Sequence, residues 1–294
     1  MTDATAVGAC AHCGHAPLRP FGMAEDARRA VHVAQWECSS CRLLISYPRR
    51  SDESLARYYA HEYYGRIWTD PDAVWRQNLI AYATELRLLD RFSEGRRPRG
   101  RVLDVGCGYG VMLHLLKQRG YDAYGCESGV PAAAFCRRRG LNILRAVAPQ
   151  LPFRANSFQL VVSLHVVEHV THPQAFVSAL VRVLEPGGML VLVTDHRWTA
   201  EYAFKRALRR LRGHIPPFYT STDHTFIYTR QHLATMMADA GCEQIRAAAF
   251  TRRPDGESLH WRAYKGIFRL VDRLCGWGDY MMVTAVKRSP DQMA

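Results

Sequence analysis

The stretch Val102-Leu103-Asp104-Val105-Gly106-Cys107-Gly108-Tyr109-Gly110 decides how this 294-residue chain is read. Apolar β-formers lead into Asp104, glycines follow at alternate positions, and Val111-Met112-Leu113-His114-Leu115-Leu116 then runs at helical period. The pattern predicts a buried strand, a tight turn and a helix start. Glycines there allow positive φ and let backbone N–H groups approach a ligand at the helix N-terminus. The next strand, Ala123-Tyr124-Gly125-Cys126, ends in Glu127, 21 residues beyond Gly106. A nucleotide-binding βαβ unit places its ribose acid at about that distance.

Working outward, strands and helices alternate. Strands are expected at 101–105, 122–126, 142–146, 158–164 and 188–194, with helices at 110–119, 130–139 and 173–184 between them. Such alternation predicts a doubly wound α/β parallel sheet. A basic helix is expected at 198–212, then helix 230–240, strand 243–250, helix 258–274 and strand 279–287. Upstream, residues 72–93 read as one amphipathic helix with Leu79, Tyr82, Ala83, Leu86 and Leu89 on its apolar face. Three regions follow: a cysteine-bearing unit at 1–50, a tyrosine-rich helical linker or lid at 51–100, and the main domain at 101–294. Residues 96–101 form a basic linker between the last two.

The glycine spacing separates two cofactors. A dinucleotide fingerprint is G-x-G-x-x-G, whereas this chain has D-x-G-x-G-x-G; a carboxylate at the turn would repel a pyrophosphate but suits a cationic ligand. The motif resembles motif I of class I S-adenosylmethionine (SAM) methyltransferases. Leu151-Pro152-Phe153, Ser157 to Val162, Glu168-His169-Val170 and Leu184-Glu185-Pro186-Gly187-Gly188 are similar to the family's later motifs, in order. The resemblance implies a seven-stranded Rossmann-like sheet and a methyl-transfer activity. It places Asp104, Gly106, Cys107, Gly108 and Gly110 on the methionine part of SAM, Glu127 on the ribose, and Leu164 and His165 beside the cofactor. Many relatives carry an Asp before the L-P-F segment for the adenine; Val147 stands here, so adenine recognition is expected from backbone near Leu151 or from Gln150.

His165-Val166-Val167-Glu168-His169 reads H-x-x-E-H, an inverted zinc-protease pattern that requires one helix. Here it follows a strand, at the sheet edge where ligands bind. The resemblance puts Glu168 and His169 above the transferable methyl, with His169 the general-base candidate and His224 the fallback. A subset of small-molecule O-methyltransferases has E-x-x-E-H here and binds a divalent cation with it; His165 replaces the first Glu. Asp195-His196 and Asp223-His224 are expected to project toward the acceptor.

Cys10-Ala11-His12-Cys13 and Cys38-Ser39-Ser40-Cys41 are two C-x-x-C pairs separated by 24 residues. Four thiolates so arranged complete a tetrahedral structural Zn²⁺ site, with His12 and His15 as substitute ligands. A redox role competes, but neither pair opens a helix after a strand. The order of ribbon, tyrosine-rich helix and SAM domain resembles zinc-ribbon methyltransferases of sugar, polysaccharide and secondary-metabolite pathways. The expected acceptor is a small molecule or glycan, methylated at oxygen. A zinc-ribbon ribosomal RNA methyltransferase and a non-catalytic SAM- or zinc-binding adaptor are the rivals.

The formal net charge is +12, with arginine supplying nearly all the cations. The excess fits solvated faces, or an anionic partner such as nucleic acid or a membrane surface met by helix 198–212. No apolar run is long enough to span a bilayer, and no secretory h-region is seen, so a cytoplasmic location is expected. Nine cysteines, several lying singly in apolar strands, agree with a reducing compartment.

Overall fold

The computed structural model describes residues 8–26, 31–66, 70–93, 100–147, 149–211, 223–252, 259–289 and 291. Two sheets organise them. The larger has seven strands: β4 (Arg101–Val105), β5 (Asp122–Glu127), β6 (Ile143–Arg145), β7 (Phe158–Leu164), β8 (Leu184–Asp195), β10 (Cys242–Phe250) and β11 (Tyr280–Lys287). Their spatial order is β10-β11-β8-β7-β4-β5-β6. The five from β6 to β8 run parallel, and β11 and β10 close the edge antiparallel. This is the Rossmann-like α/β fold expected, and the order reverses beside β4, so β4, β5 and β7 end together at the edge where such sheets bind ligands.

Strand periodicity explains the layers. Leu103, Val105, Val161, Leu190 and Leu192 face one core, with Phe176 and Leu180 of α7 (Pro173–Val183) and Leu233 and Met237 of α9 (Arg230–Asp239). Val102, Leu160, Val162, Val191 and Val193 face the other, against Leu113 and Leu116 of α5 (Val111–Gln118) and Phe135 of α6 (Val130–Arg138). Alternate residues of each strand thus serve opposite faces.

The expected helix 72–93 is two helices, α3 (Pro71–Ala81) and α4 (Ala83–Phe92), broken at Tyr82. No Gly or Pro marks the break. It is tertiary: Tyr82 lies under the Arg252 guanidinium, 5.0 Å from the ring centroid. Ahead of α3, helix α1 (Asp52–Arg57), capped by Ser51, passes into a π-helical turn (Tyr58–Glu62) and the short α2 (Tyr63–Arg66). Helix α8 (Ala200–Leu211) and α10 (Leu259–Cys275) match expectation within the described residues; 96–99, 212 and 258 lie outside them.

The second sheet joins chain segments that the sequence reading kept apart. Strands β1 (Leu18–Asp26), β2 (Val31–Cys38) and β3 (Leu44–Tyr47) form an antiparallel meander, and β9 (Phe226–Ile227) adds to it through Leu44 and Ile45. Behind this pairing, buried Arg197 bonds the Arg42 carbonyl and the Glu37 carboxylate.

Candidate active site

The turn after β4 has the geometry its glycines require. Gly106, Gly108 and Gly110 take φ of 73°, 55° and 78°. A Cβ on Gly106 would meet Val166 Cγ2 at 2.3 Å, and one on Gly110 would meet Leu141 at 2.7 Å and the Cys136 thiol at 2.8 Å. Asp104 is buried, and its Oδ2 has no hydrogen-bond partner. Burial, then the charge of Glu127, pushes its carboxyl up to about 8. Such an orphaned acceptor fits a cationic group better than a phosphate, and the N–H groups of Gly106, Cys107, Gly108 and Gly110 are already bonded to Cys126 O, Cys126 O, Glu127 and Cys107 O. Cys107 sits in the turn with its sulfur toward the Gly108 carbonyl at 3.9 Å, and its thiol is raised by a hydrogen bond with Cys136 and by burial.

Glu127 is buried at the end of β5, accepting from the N–H groups of Gly108 (2.9 Å) and Gly129 (2.7 Å). Burial raises its carboxyl despite these donors. Tyr64 also donates to it, and lies so close that a Cβ on Gly129 would meet its ring at 2.2 Å. The side chains from Tyr58 to Tyr64 therefore form a strap across the strand ends. Beneath its first turns, Ala56, Arg57, Ala60, His61, Ser128, Arg145, Ala146 and Val147 line a cleft of about 390 Å³. Leu151 is not in it: its side chain is in the core, its N–H bonds Pro149 O at 2.9 Å, and its carbonyl accepts from Arg182. Gln150 is exposed. The backbone offered for adenine is thus already used, because the L-P-F segment is fastened to α7.

At the end of β7 a second constellation forms. His165 takes φ 56°, a strained value for a β-carbon residue. Arg252 donates to its Nε2 at 2.9 Å, so Nδ1 carries the ring proton and faces Glu168 at 3.3 Å. Arg252 is itself paired with buried Glu85. Leu164, just before His165, is buried in the core. Glu168 is wholly buried; burial works to raise it, yet the His165 hydrogen bond and the charges of His169 and His224 hold it below the ordinary carboxylate value.

His169 and His224 meet edge to face, 4.7 Å between centroids. His169 Nδ1 donates to the Asp223 carbonyl at 3.1 Å, leaving Nε2 as an acceptor, and burial plus His224 lower its pKa. His224 behaves oppositely: burial disfavours its charge, but Asp195 at 2.9 Å raises it to about 9. Tyr59 packs on His169 at 5.6 Å, its buried hydroxyl unbonded, while Tyr58 donates to Asp223 Oδ2 at 3.0 Å. His196 does not join them. It is buried, bonded to Trp198 O at 3.0 Å and lowered to about 4 by burial, so it is a packing residue.

Donor atoms of Glu168, His169 and His224, and of His165, Glu168 and Asp195, lie within 4.8 Å of one another, near enough for a cation. Apart from the His165 contact, both Glu168 oxygens lack a hydrogen-bond partner, and His169 spends Nδ1–H on Asp223 O with Nε2 free, an arrangement that serves a proton or a cation. Asp195 holds His224 charged, which favours proton handling over coordination through that ring.

The four thiols of Cys10, Cys13, Cys38 and Cys41 also lie within 4.8 Å of one another. Sγ separations of 3.6 Å (Cys10–Cys41) and 3.5 Å (Cys13–Cys38) approach the roughly 3.8 Å edge of a zinc–thiolate tetrahedron. The Cys41 N–H points at Cys38 Sγ, 3.4 Å away. His12 instead packs edge-on against His232.

A family model described as a methyltransferase domain matches residues 74–247. The chain belongs to this methyltransferase family. The ubiquinone biosynthesis O-methyltransferase of Psychrobacter arcticus is 34% identical over 156 residues, covering 48% of this chain and 58% of that protein. The probable tRNA methyltransferase 9B of Mus musculus is 28% identical over 138 residues, covering 44% of this chain and 30% of that protein. The chain thus spans less than two thirds of either relative. Among solved structures, a SAM-dependent methyltransferase of Thermotoga maritima, titled a possible histamine N-methyltransferase, aligns with TM-score 0.54 and 19% identity. That match covers 76% of this chain and 98% of the other, and it shows the shared class I fold.

Set against that fold, this methyltransferase brings together Asp104, the glycines and Glu127 at one end of the edge, and His165, Glu168, His169 and His224 at the other. Sequence reasoning missed Tyr59, Tyr64, Glu85 and Arg252. The density of tyrosines was a signal for the first two. Glu85 and Arg252 offered none, being 167 positions apart.

Proposed function

We propose that this methyltransferase moves the methyl group of SAM to a hydroxyl oxygen of a small-molecule or glycan-type acceptor. The observation that carries the reading is His169, whose Nδ1–H is spent on Asp223 O while its lowered pKa leaves Nε2 unprotonated at neutral pH. Bound SAM supplies an electrophilic methyl; the protein must hold it, align the acceptor and accept a proton. Asp104 would pair with the ammonium of the methionine part, the turn from Gly106 to Gly110, Cys107 among it, would lie against that part, and Glu127 would receive the ribose hydroxyls. The cleft floored by Ser128, Arg145, Ala146 and Val147 takes the adenine, and Leu164 packs beside the cofactor.

His169 Nε2 would take the hydroxyl proton of the acceptor, while SAM, when bound, would supply the methyl to that oxygen and keep the electron pair of the broken sulfur–methyl bond as a neutral thioether. Buried Glu168 stabilises the resulting imidazolium, and His165 holds Glu168 in place. His224, charged against Asp195, orients the acceptor rather than serving as the base. Four thiolates hold one structural zinc ion in the N-terminal ribbon, which is best treated as a unit of residues 1–50 ahead of the lid segment 51–100 and the catalytic domain 101–294. None of the nine cysteines is joined in a disulfide, which supports a cytoplasmic setting.

The printed activity of the Psychrobacter relative, O-methylation of a small molecule, supports the acceptor class. An RNA acceptor is favoured by the net charge of +12 and by the mouse relative. Incubation with methyl-labelled SAM and separated metabolite and RNA fractions distinguishes them. Label in hydroxylated metabolites is the expected result. Label confined to RNA overturns the acceptor class, and bound SAM with no transfer to either fraction supports the adaptor reading.

A further inference from the structure

Among the described residues, seven of the twelve exposed large apolar side chains lie on just two helices, α8 and α10. Phe204, Leu208 and Leu211 stand out from α8, and Ile267, Leu270, Val271 and Leu274 from α10; Leu211 and Leu274 are 86% and 78% exposed. The helices are packed together, with Phe204 and Phe268 rings 5.7 Å apart and Asp272 Oδ1 accepting the Ala200 N–H at 2.6 Å. They carry eight lysines and arginines against two acids, Glu201 and Asp272. Both acids are spent internally, Glu201 on Lys205 at 2.6 Å and buried Asp272 on the cap of α8.

We propose that the α8–α10 face is a peripheral membrane-binding surface for anionic lipid. Exposed apolar side chains on two packed helices whose sequence carries a net positive charge are what an interfacial pair presents: apolar side chains enter the acyl boundary, while the excess lysine and arginine meet the lipid charge. The helices have 12 and 17 residues, about 18 and 26 Å at 1.5 Å per residue. No described helix is long and apolar enough to cross a membrane, so the pair lies in the plane of the surface. A second copy is disfavoured because two such faces carry like charge. Nucleic acid would satisfy the cations but leave Ile267, Leu270 and Leu274 in water. The Trp198 and Trp277 rings, both half-buried, stack at 6.2 Å just before α8 and just after α10.

The placement has a consequence for access. Helix α8 starts five residues after Asp195, and α10 leads into Tyr280, whose ring is 5.1 Å from that of His165. Docking this face holds the acceptor end of the site at the bilayer, where an acceptor with an apolar tail is concentrated.

Flotation of the full-length protein with phosphatidylcholine vesicles, with and without about 30% phosphatidylglycerol, tests the surface. Binding is expected only with phosphatidylglycerol, weakened but not abolished by 0.5 M salt, which shortens the Debye length to about half its value in physiological buffer. Leu211→Ser/Leu274→Ser should lower the bound fraction about tenfold, and Lys205→Glu/Arg273→Glu should do the same at low salt. All four positions are exposed, so SAM affinity and melting temperature should hold. No binding to anionic vesicles, or binding indifferent to the serine pair, overturns the proposal. So does a shift from dimer to monomer caused by the serine pair, or binding of a labelled RNA oligomer in place of vesicles.

Discussion

At the glycine-turn end of the edge, the chemistry-bearing groups come from one βαβ unit spanning residues 104–127; at the histidine end, Tyr59, His165, Glu168, His169, Asp195, His224 and Arg252 converge from separate elements. The electrostatics differ as well. Asp104 and Glu127 are raised, because burial outweighs the neutral amides around them. Glu168, wholly buried, and the partly buried Asp195 are instead lowered, because imidazoles face them. One end therefore holds two buried carboxyls whose charged forms are disfavoured, and the other already holds its own charge pairs. A ligand arriving at the first changes protonation there; a ligand arriving at the second meets fixed charges.

The largest effect expected from this contrast falls on turnover. His169→Ala should lower kcat by ~10²–10⁴ with SAM affinity nearly unchanged. The pH profile should show the same separation. Activity falls on the acid side as His169 gains a proton, below the ordinary histidine value because its pKa is lowered. His224, raised to about 9, contributes its ion pair fully below pH 6.5 and loses it as pH rises through about 9. A broad plateau between those limits is expected. Equal activity of wild type and His169→Ala, measured by label transfer, would leave proximity alone as the catalyst.

Asp104→Asn acts at the opposite end, weakening SAM binding about 10- to 100-fold. In the wild type, SAM affinity should climb from pH 6 to 8 and then level off, since the carboxyl near 8 must lose its proton to pair with an ammonium. Calorimetry in buffers of different ionisation enthalpy should show that proton released. A pH-independent affinity would break the contrast, for Asp104 would then be charged without its ligand.

The ribbon should matter to one end only. Strand β3 holds β9, and the N–H groups of Thr225 and Phe226 just there bond the Glu168 carbonyl at 2.8 and 3.1 Å. Elemental analysis should find one zinc per chain, absent from Cys10→Ser/Cys38→Ser. That variant should lose about tenfold in turnover while SAM affinity changes less than twofold. A second metal equivalent in the wild type would contradict the proton reading of the histidine end. Equal losses at both ends would show that the ribbon supports the whole domain.

The same contrast explains what could be read in the residues alone. The glycine turn, Glu127 and the four cysteines announce themselves by local spacing, since backbone geometry at a turn or a thiolate knuckle imposes residue type. The alternation of apolar strands gave the sheet for the same reason. The break at Tyr82 and the pairing of Arg252 with Glu85 depend on packing between distant segments and leave no periodic trace. Position alone ranked His169 ahead of His224; the partners that set their charges apart, Asp223 O and Asp195, are brought near only by the fold. The bonds of the Leu151 backbone to Pro149 and Arg182 had no sequence signal either.

The smallest expected effect tests whether the two ends are joined by the tyrosine strap. Tyr64 donates to Glu127, while Tyr59, five residues earlier, packs on His169. Glu127 already accepts from Gly108 and Gly129, so ribose hydroxyls must compete with Tyr64 for the remaining lone pairs. Exchanging one hydrogen bond for another is worth about 1 kcal/mol. Tyr64→Phe removes the competitor and keeps the ring over Gly129, so SAM should bind about fivefold more tightly. Tyr59→Phe should leave SAM affinity alone, since its hydroxyl is on the far side of the strap. If Tyr64→Phe instead weakens SAM binding, the hydroxyl is part of the socket and the strap closes with the cofactor beneath it. If both variants shift SAM affinity equally, the strap moves as one body and the two ends are coupled through it.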